Sequence, residues 1–293
     1  MASSEAVRPV PLGAADAEGG LALSAAAGWN QTVDDWRLFL AQGHGIGVRA
    51  DGGRLVASAA ALPYGGGSGW ISMVLVDPGW RHRGIASRLM NECVQHLRRA
   101  QRTATLDATP DGEAVYRQLG FEAGFAFERW EGEAAPVDGP GRVRADEPDD
   151  AATGIGAARL ADVERIAPLD AAALGGVGRT SLLLDFLQRP STQAWLEGDR
   201  AGFVIARAGH RATQVGPLVA ARVEAALALL RHALARVAGR VFIDIPVRAA
   251  AVTDELARRG FARQRSFVRM TLGSPAPAEP HPTLFAVAGP EFG

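Results

Sequence analysis

The apolar positions of this chain change period several times, and each change marks an element. Residues 70–76, WISMVLV, form an almost unbroken apolar run of strand length, suited to a central strand buried on both faces, and Pro78 closes it. From Gly84 the spacing becomes helical. Ile85, Leu89, Cys93, Val94 and Leu97 recur at three- and four-residue intervals, which predicts one buried helix face. Residues 103–109, TATLDAT, read as a second strand. A helix-compatible EAVYRQL follows, and a third strand is expected from near Phe121 to near Trp130. The first half is thus α/β.

The second half repeats the pattern. GFEAGFAFER from Gly120 and GFARQRSFVR from Gly260 share a Gly-Phe-x5-Phe-x-Arg skeleton, so that Phe121, Phe127 and Arg129 match Phe261, Phe267 and Arg269. Each copy follows a short amphipathic helix, VYRQL or ELARR. Residues 212–219 precede a predicted long helix with Val223, Leu227, Leu230, Leu234 and Val237 on one face, and residues 241–245, VFIDI, make the strand after it. We read this as a tandem duplication. Residues 131–150, rich in Pro, Gly and acids without apolar period, read as the connection, which gives domains of residues 1–138 and 139–293 with the boundary near Gly139.

Composition narrows the function classes. A 293-residue chain is long enough for two domains, and a formal charge of −1 gives no global field for nucleic acid. All 31 basic residues are Arg, so no lysine can act as base or Schiff-base former. One cysteine, Cys93, excludes an intramolecular disulfide, and the six scattered histidines match no zinc spacing, so no metal is expected. The first residues lack a signal-peptide pattern and no apolar stretch is long enough to span a bilayer, which points to a cytoplasmic protein with no membrane partner.

The junction VDPGWRHRGIA carries the chemistry. A helix start offers free backbone N–H groups and the positive end of a dipole, and Gly84 has no Cβ to obstruct an anion. Ala86 keeps the next approach small, and Arg81 and Arg83 can add charge-assisted hydrogen bonds to a diphosphate. The plainer reading is a solvated basic helix start.

Context decides between them. The order strand, VDPGWRHRGIA turn, helix, strand and VYRQLGF resembles the GNAT superfamily of N-acetyltransferases, whose signature Arg/Gln-x-x-Gly-x-Gly/Ala falls here on Arg81, Gly84 and Ala86. Val74, Val76 and Pro78 match the strand end before it, and Tyr116 with LGF comes about thirty residues later. The resemblance covers residues from about 55 to 130 strongly. GWNQTVDDW near the start and FAVAGPEFG at residues 285–293 extend it to a bacterial subfamily with a diverged second acetyltransferase-like domain. The fold it implies is two tandem α/β (α+β) domains, each a mixed, mostly antiparallel sheet flanked by helices.

The resemblance implies acetyl-CoA as acyl donor. Its pyrophosphate would lie on the backbone amides of His82, Arg83, Gly84, Ile85, Ala86 and Ser87, and its pantetheine arm beside Val74, Leu75 and Val76. The N–H of Leu75 or Val76 would serve the thioester oxygen. Tyr116 would be the general acid that reprotonates the leaving thiolate, unless it only packs against Phe121. Relatives often carry a Glu near the positions of Ile71 and Ser72 as base, and this strand has none. Asp107 is the nearest acid in sequence, read equally as base or as turn and cap, and water is the alternative. Thr109 stands where relatives often have Asn and still suits a helix cap.

Trp29, Asn30, Gln31, Asp35 and Trp36 are candidates to line the acceptor pocket, with burial the simpler reading for Trp36. His44 reads as a loop histidine and the glycine run 65–69 as a hairpin. The second half lacks the glycine turn and has no tyrosine, so one active site is expected; Arg179, Asp244 and Arg269 could face a substrate, with solvated surface or ion pairs the simpler reading for each. The expected activity is direct acetyl transfer to a primary amine of a small molecule, by a monomer or homodimer. The rival is a non-catalytic acyl-CoA-binding sensor or partner-binding protein.

Overall fold

The computed structural model describes residues 8–135, 154–198, 202–273 and 277–293. Their elements repeat one order twice. The first pass is β1 (Val10–Leu12), α1 (Ala17–Ala26), α2 (Val33–Gln42), β2 (His44–Arg49), β3 (Leu55–Pro63), β4 (Ser68–Val76), α3 (Ile85–Arg99), β5 (Thr103–Ala108), α4 (Pro110–Gln118) and β6 (Phe121–Ala134). The second is β7 (Ile155–Ala157), α5 (Val163–Ala173), α6 (Thr180–Gln188), β8 (Thr192–Glu197), β9 (Gly202–Arg207), β10 (Thr213–Ala220), α7 (Val223–Leu234), β11 (Gly239–Pro246), α8 (Ala250–Arg258) and β12 (Ala262–Leu272). A further strand, β13 (Leu284–Ala286), has no counterpart in the first pass. Even the short 3-10 turn before the first helix recurs, closed by Asp16 onto the Gly13 amide and by Asp162 onto the Arg159 amide.

By packing, the chain divides into two compact units. One holds the residues up to Pro63 and Gly67–Thr105; the other holds Tyr64–Gly66 and Leu106–Gly293. The boundary expected near Gly139 lies outside the described residues.

In the first unit the strand order is β1-β2-β3-β4-β5, antiparallel except for the parallel pair β4–β5. The helical stripe read from Gly84 is present, with Ile85, Leu89, Met90, Cys93, Val94 and Leu97 buried. Trp36 and Phe39 are fully buried and meet edge-to-face. The Trp36 indole N–H donates to Ser24 Oγ at 3.0 Å, which satisfies its one polar atom. Gly20 makes room for the ring, since a Cβ there would stand 2.3 Å from it.

In the second unit β12, β6, β11, β10, β9, β8 and β7 stand side by side in that order, with β13 on β10. The strand β6 runs to Ala134, four residues past the expected end. Its acidic close, which reads as linker, is paired: Glu131, Gly132 and Glu133 lie opposite Phe242, Val241 and Arg240 of β11. The face of α7 differs in part from expectation. Leu230 and Leu234 are buried as expected, Leu227 is half-buried and Val237 is buried just past the helix, but Val223 is exposed, and Ala225, Ala226, Leu229 and Ala233 complete the buried face. Alanines carry much of that face, so a pattern counted on large side chains reads it only in part.

Candidate functional site

The strand and turn that the sequence marks are built in the first unit. β4 and β5 run parallel for three residue pairs, Ser68–Thr103, Gly69–Ala104 and Trp70–Thr105. β4 then continues to Val76 with no described strand on that side. On its other side β4 carries one extra residue against β3, between the pairs Ser58–Leu75 and Ala60–Ser72. Met73 takes up the excess at φ +54, a left-handed conformation rare for a residue with a side chain. The buried Ser58 hydroxyl donates to the Met73 carbonyl at 2.9 Å and holds the bulge. A bulge raises local twist, so β4 leaves β5 with an edge of backbone groups open from Ile71 to Val76.

Eight residues separate β4 from α3. Two of them are left-handed, His82 at φ +60 and Gly84 at φ +70, and Gly84 stands as the N-cap of α3. Among the described residues nothing lies within 4 Å of where a Gly84 Cβ would be. No side chain caps the helix, and its first hydrogen bond runs from the Arg88 amide to the Gly84 carbonyl at 3.1 Å. The amides of Ile85, Ala86 and Ser87 are therefore presented at an open, positive helix end. Arg81 donates through Nε to the Val76 carbonyl at 3.2 Å, and Arg83 to the Gly79 carbonyl at 3.1 Å with its guanidinium over the Trp80 ring. Both arginines brace the turn.

The first-unit candidates for the acceptor side separate into two groups. Asp35 closes a capping box with Thr32, accepting from the Thr32 amide at 2.8 Å, and Trp36 is core. Trp29 is half-buried, and Asn30 and Gln31 are buried. Gln31 Oε1 and Ser72 Oγ, both shut from solvent, have no hydrogen-bond partner among the described residues, so each retains bonding capacity. His44 begins β2 and stacks on His96 of α3, with ring centres 4.1 Å apart. Burial, then the His96 charge, lower its pKa.

The remaining candidates lie in the second unit. Thr109, not Asp107, caps α4, accepting from the Gly112 amide at 3.3 Å. Tyr116 is half-buried on α4, its ring 6.0 Å from that of Phe121, and burial raises its pKa. Both Asp107 oxygens accept from Arg269, at 2.9 and 3.0 Å. Burial raises the Asp107 carboxyl and the guanidinium opposes that. Arg179 is paired with Asp170, and Asp244 with Arg129, in the same two-pronged way, so of the readings open for these three charges the ion pair is the one found, and none is solvated. Among the described residues no group of three or more His, Cys, Asp or Glu could hold a metal ion, and no helix is long and apolar enough to cross a membrane.

Two family models match the chain: one described as "Acetyltransferase (GNAT) family" over residues 23–121, the other as "Acetyltransferase (GNAT) domain" over residues 166–286. The chain therefore belongs to the GNAT acetyltransferases and carries two such domains in tandem. No curated protein matches it. Solved structures share its fold. A protein from Pyrococcus horikoshii, described as a candidate acetyltransferase, superposes with TM-score 0.79 at 18% identity, over 100% of this chain and 98% of its own. A tandem GNAT protein from the clavulanic acid biosynthesis pathway gives TM-score 0.61 at 20% identity, over 90% and 97%. A GCN5-related N-acetyltransferase from Sphaerobacter thermophilus gives 0.58 at 17%, over 90% and 94%. The fold is thus one that serves acyl-CoA-dependent acetyl transfer.

Sequence reasoning missed Ser58, Met73 and His96. The bulge leaves no letter in the sequence; a serine inside the otherwise apolar run LVASAAAL was the one available signal.

Proposed function

We propose that this chain transfers the acetyl group of acetyl-CoA directly to a primary amine of a small molecule, using one site. The observation that carries the reading is the uncapped, open helix start at Gly84 beside an unpaired β4 edge. A diphosphate fits the first, because three amides and a helix dipole meet where no Cβ intrudes. An extended amide-bearing arm fits the second, because among the described residues no strand pairs the backbone groups from Ile71 to Val76 on that side. The bound donor supplies an activated acyl group, and the chain supplies position and polarity. The Leu75 or Val76 N–H stabilises the negative charge that develops on the thioester oxygen.

Tyr116 we assign as the acid. A tyrosine phenol is protonated at neutral pH, and burial, which raises its pKa, keeps it so, which suits a donor of a proton to a departing thiolate and not a base. Asp107 we assign to holding Arg269, since both its oxygens are taken. The amine proton then passes to water. Trp29, Asn30 and Gln31 we assign to the acceptor, with the unpartnered Gln31 Oε1 as a hydrogen-bond acceptor for an ammonium or hydroxyl group.

The test is release of free CoA thiol from acetyl-CoA across a panel of small amines. Tyr116→Phe should lower kcat by about 10²-fold or more while donor affinity holds, as loss of a general acid does. Gly84→Glu, checked for folding by its thermal melt, should abolish donor binding by placing a carboxylate against the phosphates. Tight acetyl-CoA binding without turnover on any amine or peptide would replace the enzyme by a non-catalytic acyl-CoA sensor.

A further inference from the structure

The second pass of the fold contains the same fork as the first, but there the fork is filled. β10 and β11, the counterparts of β4 and β5, run parallel and also pair over only three residues, Thr213–Val241, Gln214–Phe242 and Val215–Ile243. Past that point β13 enters. It runs antiparallel to β10, with Leu218 opposite Ala286 and Val219 opposite Leu284. On its other side the Val287 amide donates to the Asp244 carbonyl of β11 at 3.0 Å. The segment is buried throughout: Leu284, Phe285, Ala286, Val287 and Ala288 are each at most 4% exposed. Gly216 permits the approach, since a Cβ there would stand 2.1 Å from the Val287 carbonyl oxygen.

Two arginines close over residues 288–293. Arg207 donates to the Ala288 carbonyl and to Glu291, both at 2.7 Å, and lies over the rings of Phe186 and Phe292. Arg179, held by Asp170, donates to the Phe292 carbonyl at 2.8 Å. The Phe292 ring meets Phe186 edge-on at 5.2 Å and is fully buried.

We infer that the β10–β11 fork is a strand-binding slot whose ligand is the chain's own segment 284–293, seated where the first repeat keeps its open β4 edge for the donor's arm. This deepens the functional reading and rests on it for the role of that edge. Removing the segment would leave β10 backbone groups and two buried guanidiniums without these partners, and each such loss is costly in a desolvated site. The anion turn is gone as well, for only Ala221 and Arg222 separate β10 from α7, against eight residues between β4 and α3. The second domain therefore takes no acyl-CoA, and the chain binds one donor.

The experiment is calorimetric titration of acetyl-CoA into the full chain and into Gly84→Glu, with amide hydrogen exchange read over residues 284–288 in the same samples. One molecule bound by the native chain, none by Gly84→Glu, and slow exchange at Ala286 and Val287 that saturating acetyl-CoA leaves unchanged would support the slot. A site surviving in Gly84→Glu would overturn it, and so would loss of protection at 284–288 when acetyl-CoA is added. Should the native chain bind no acetyl-CoA, the functional reading fails, and exchange alone then decides the slot: amides at 286 and 287 as slow as those of the β10 core support it, and fast ones overturn it.

Discussion

At the scale of single residues, the candidate site depends on a strained methionine and the serine that holds it. A left-handed residue with a Cβ costs about 1–2 kcal/mol, so Met73 keeps its φ only because something fixes it. The Ser58 hydroxyl on its carbonyl is that restraint. Ser58→Ala removes that hydrogen bond to a buried carbonyl, which should cost about 1–3 kcal/mol in urea unfolding. On the proposed reading the β4 edge then loses its alignment, and the Michaelis constant for acetyl-CoA should rise while affinity for an acceptor amine is unchanged. A variant that loses stability with unchanged donor kinetics would make Ser58 merely structural. The glycine of the anion turn was legible because its chemistry is local: one residue type, one backbone conformation, one helix start. The bulge was not, because an extra residue in a strand shows only in the register against its partner. Cys93 was legible too. Burial pushes its thiol up to about 12, in keeping with a core side chain and not a nucleophile.

Elements add a pH dependence centred on α8. Glu255 accepts from Arg231 of α7 at 2.9 Å through each oxygen and from Arg259 at 2.8 Å, and pairs with Arg258 at 2.7 Å. The Arg231 hydrogen bonds, against burial, hold its carboxyl at about 2. A depressed folded pKa stabilises above the unfolded value, about 4.3 for Glu, and the gain disappears as pH falls through about 2. The urea midpoint of the native chain should therefore fall between about pH 4.3 and 2 more steeply than that of Glu255→Gln. At pH 7 the Gln variant should be the less stable of the two. Parallel curves over that range would remove Glu255 from the acid response. The stripe on α3 could be read ahead because Ile, Leu, Cys and Val mark it, and that on α7 only in part, because Ala225, Ala226 and Ala233 carry much of it and small side chains mark a face weakly.

For the whole molecule, the duplication has a physical reason that the repeated letters only hint at. Phe127 and Phe267, equivalent in the two copies, lie opposite each other in the antiparallel pair β6–β12 and stack at 5.1 Å. The arginines two residues on reach to opposite copies: Arg129 takes Asp244 of β11, and Arg269 takes Asp107 of β5. The repeated Arg was visible in sequence, but its partner was not, since each pair spans more than a hundred residues, although both Asp residues stand in the equivalent strands β5 and β11. Breaking either pair leaves a buried charge, so Arg129→Met and Arg269→Met should each cost about 3–5 kcal/mol in urea unfolding. Replacing both partners tests whether charge as such is needed, because an apolar pair of similar volume is often as stable as a buried ion pair. The two pairs should then differ. Asp244 also accepts from the Gln214 amide at 2.9 Å, so Arg129→Met with Asp244→Leu orphans that amide and should recover only part of the loss. Arg269→Met with Asp107→Leu should recover more. Equal recovery would mean that the Gln214 contact contributes nothing, and no recovery in either would mean that the charges specify the β6–β12 pairing itself.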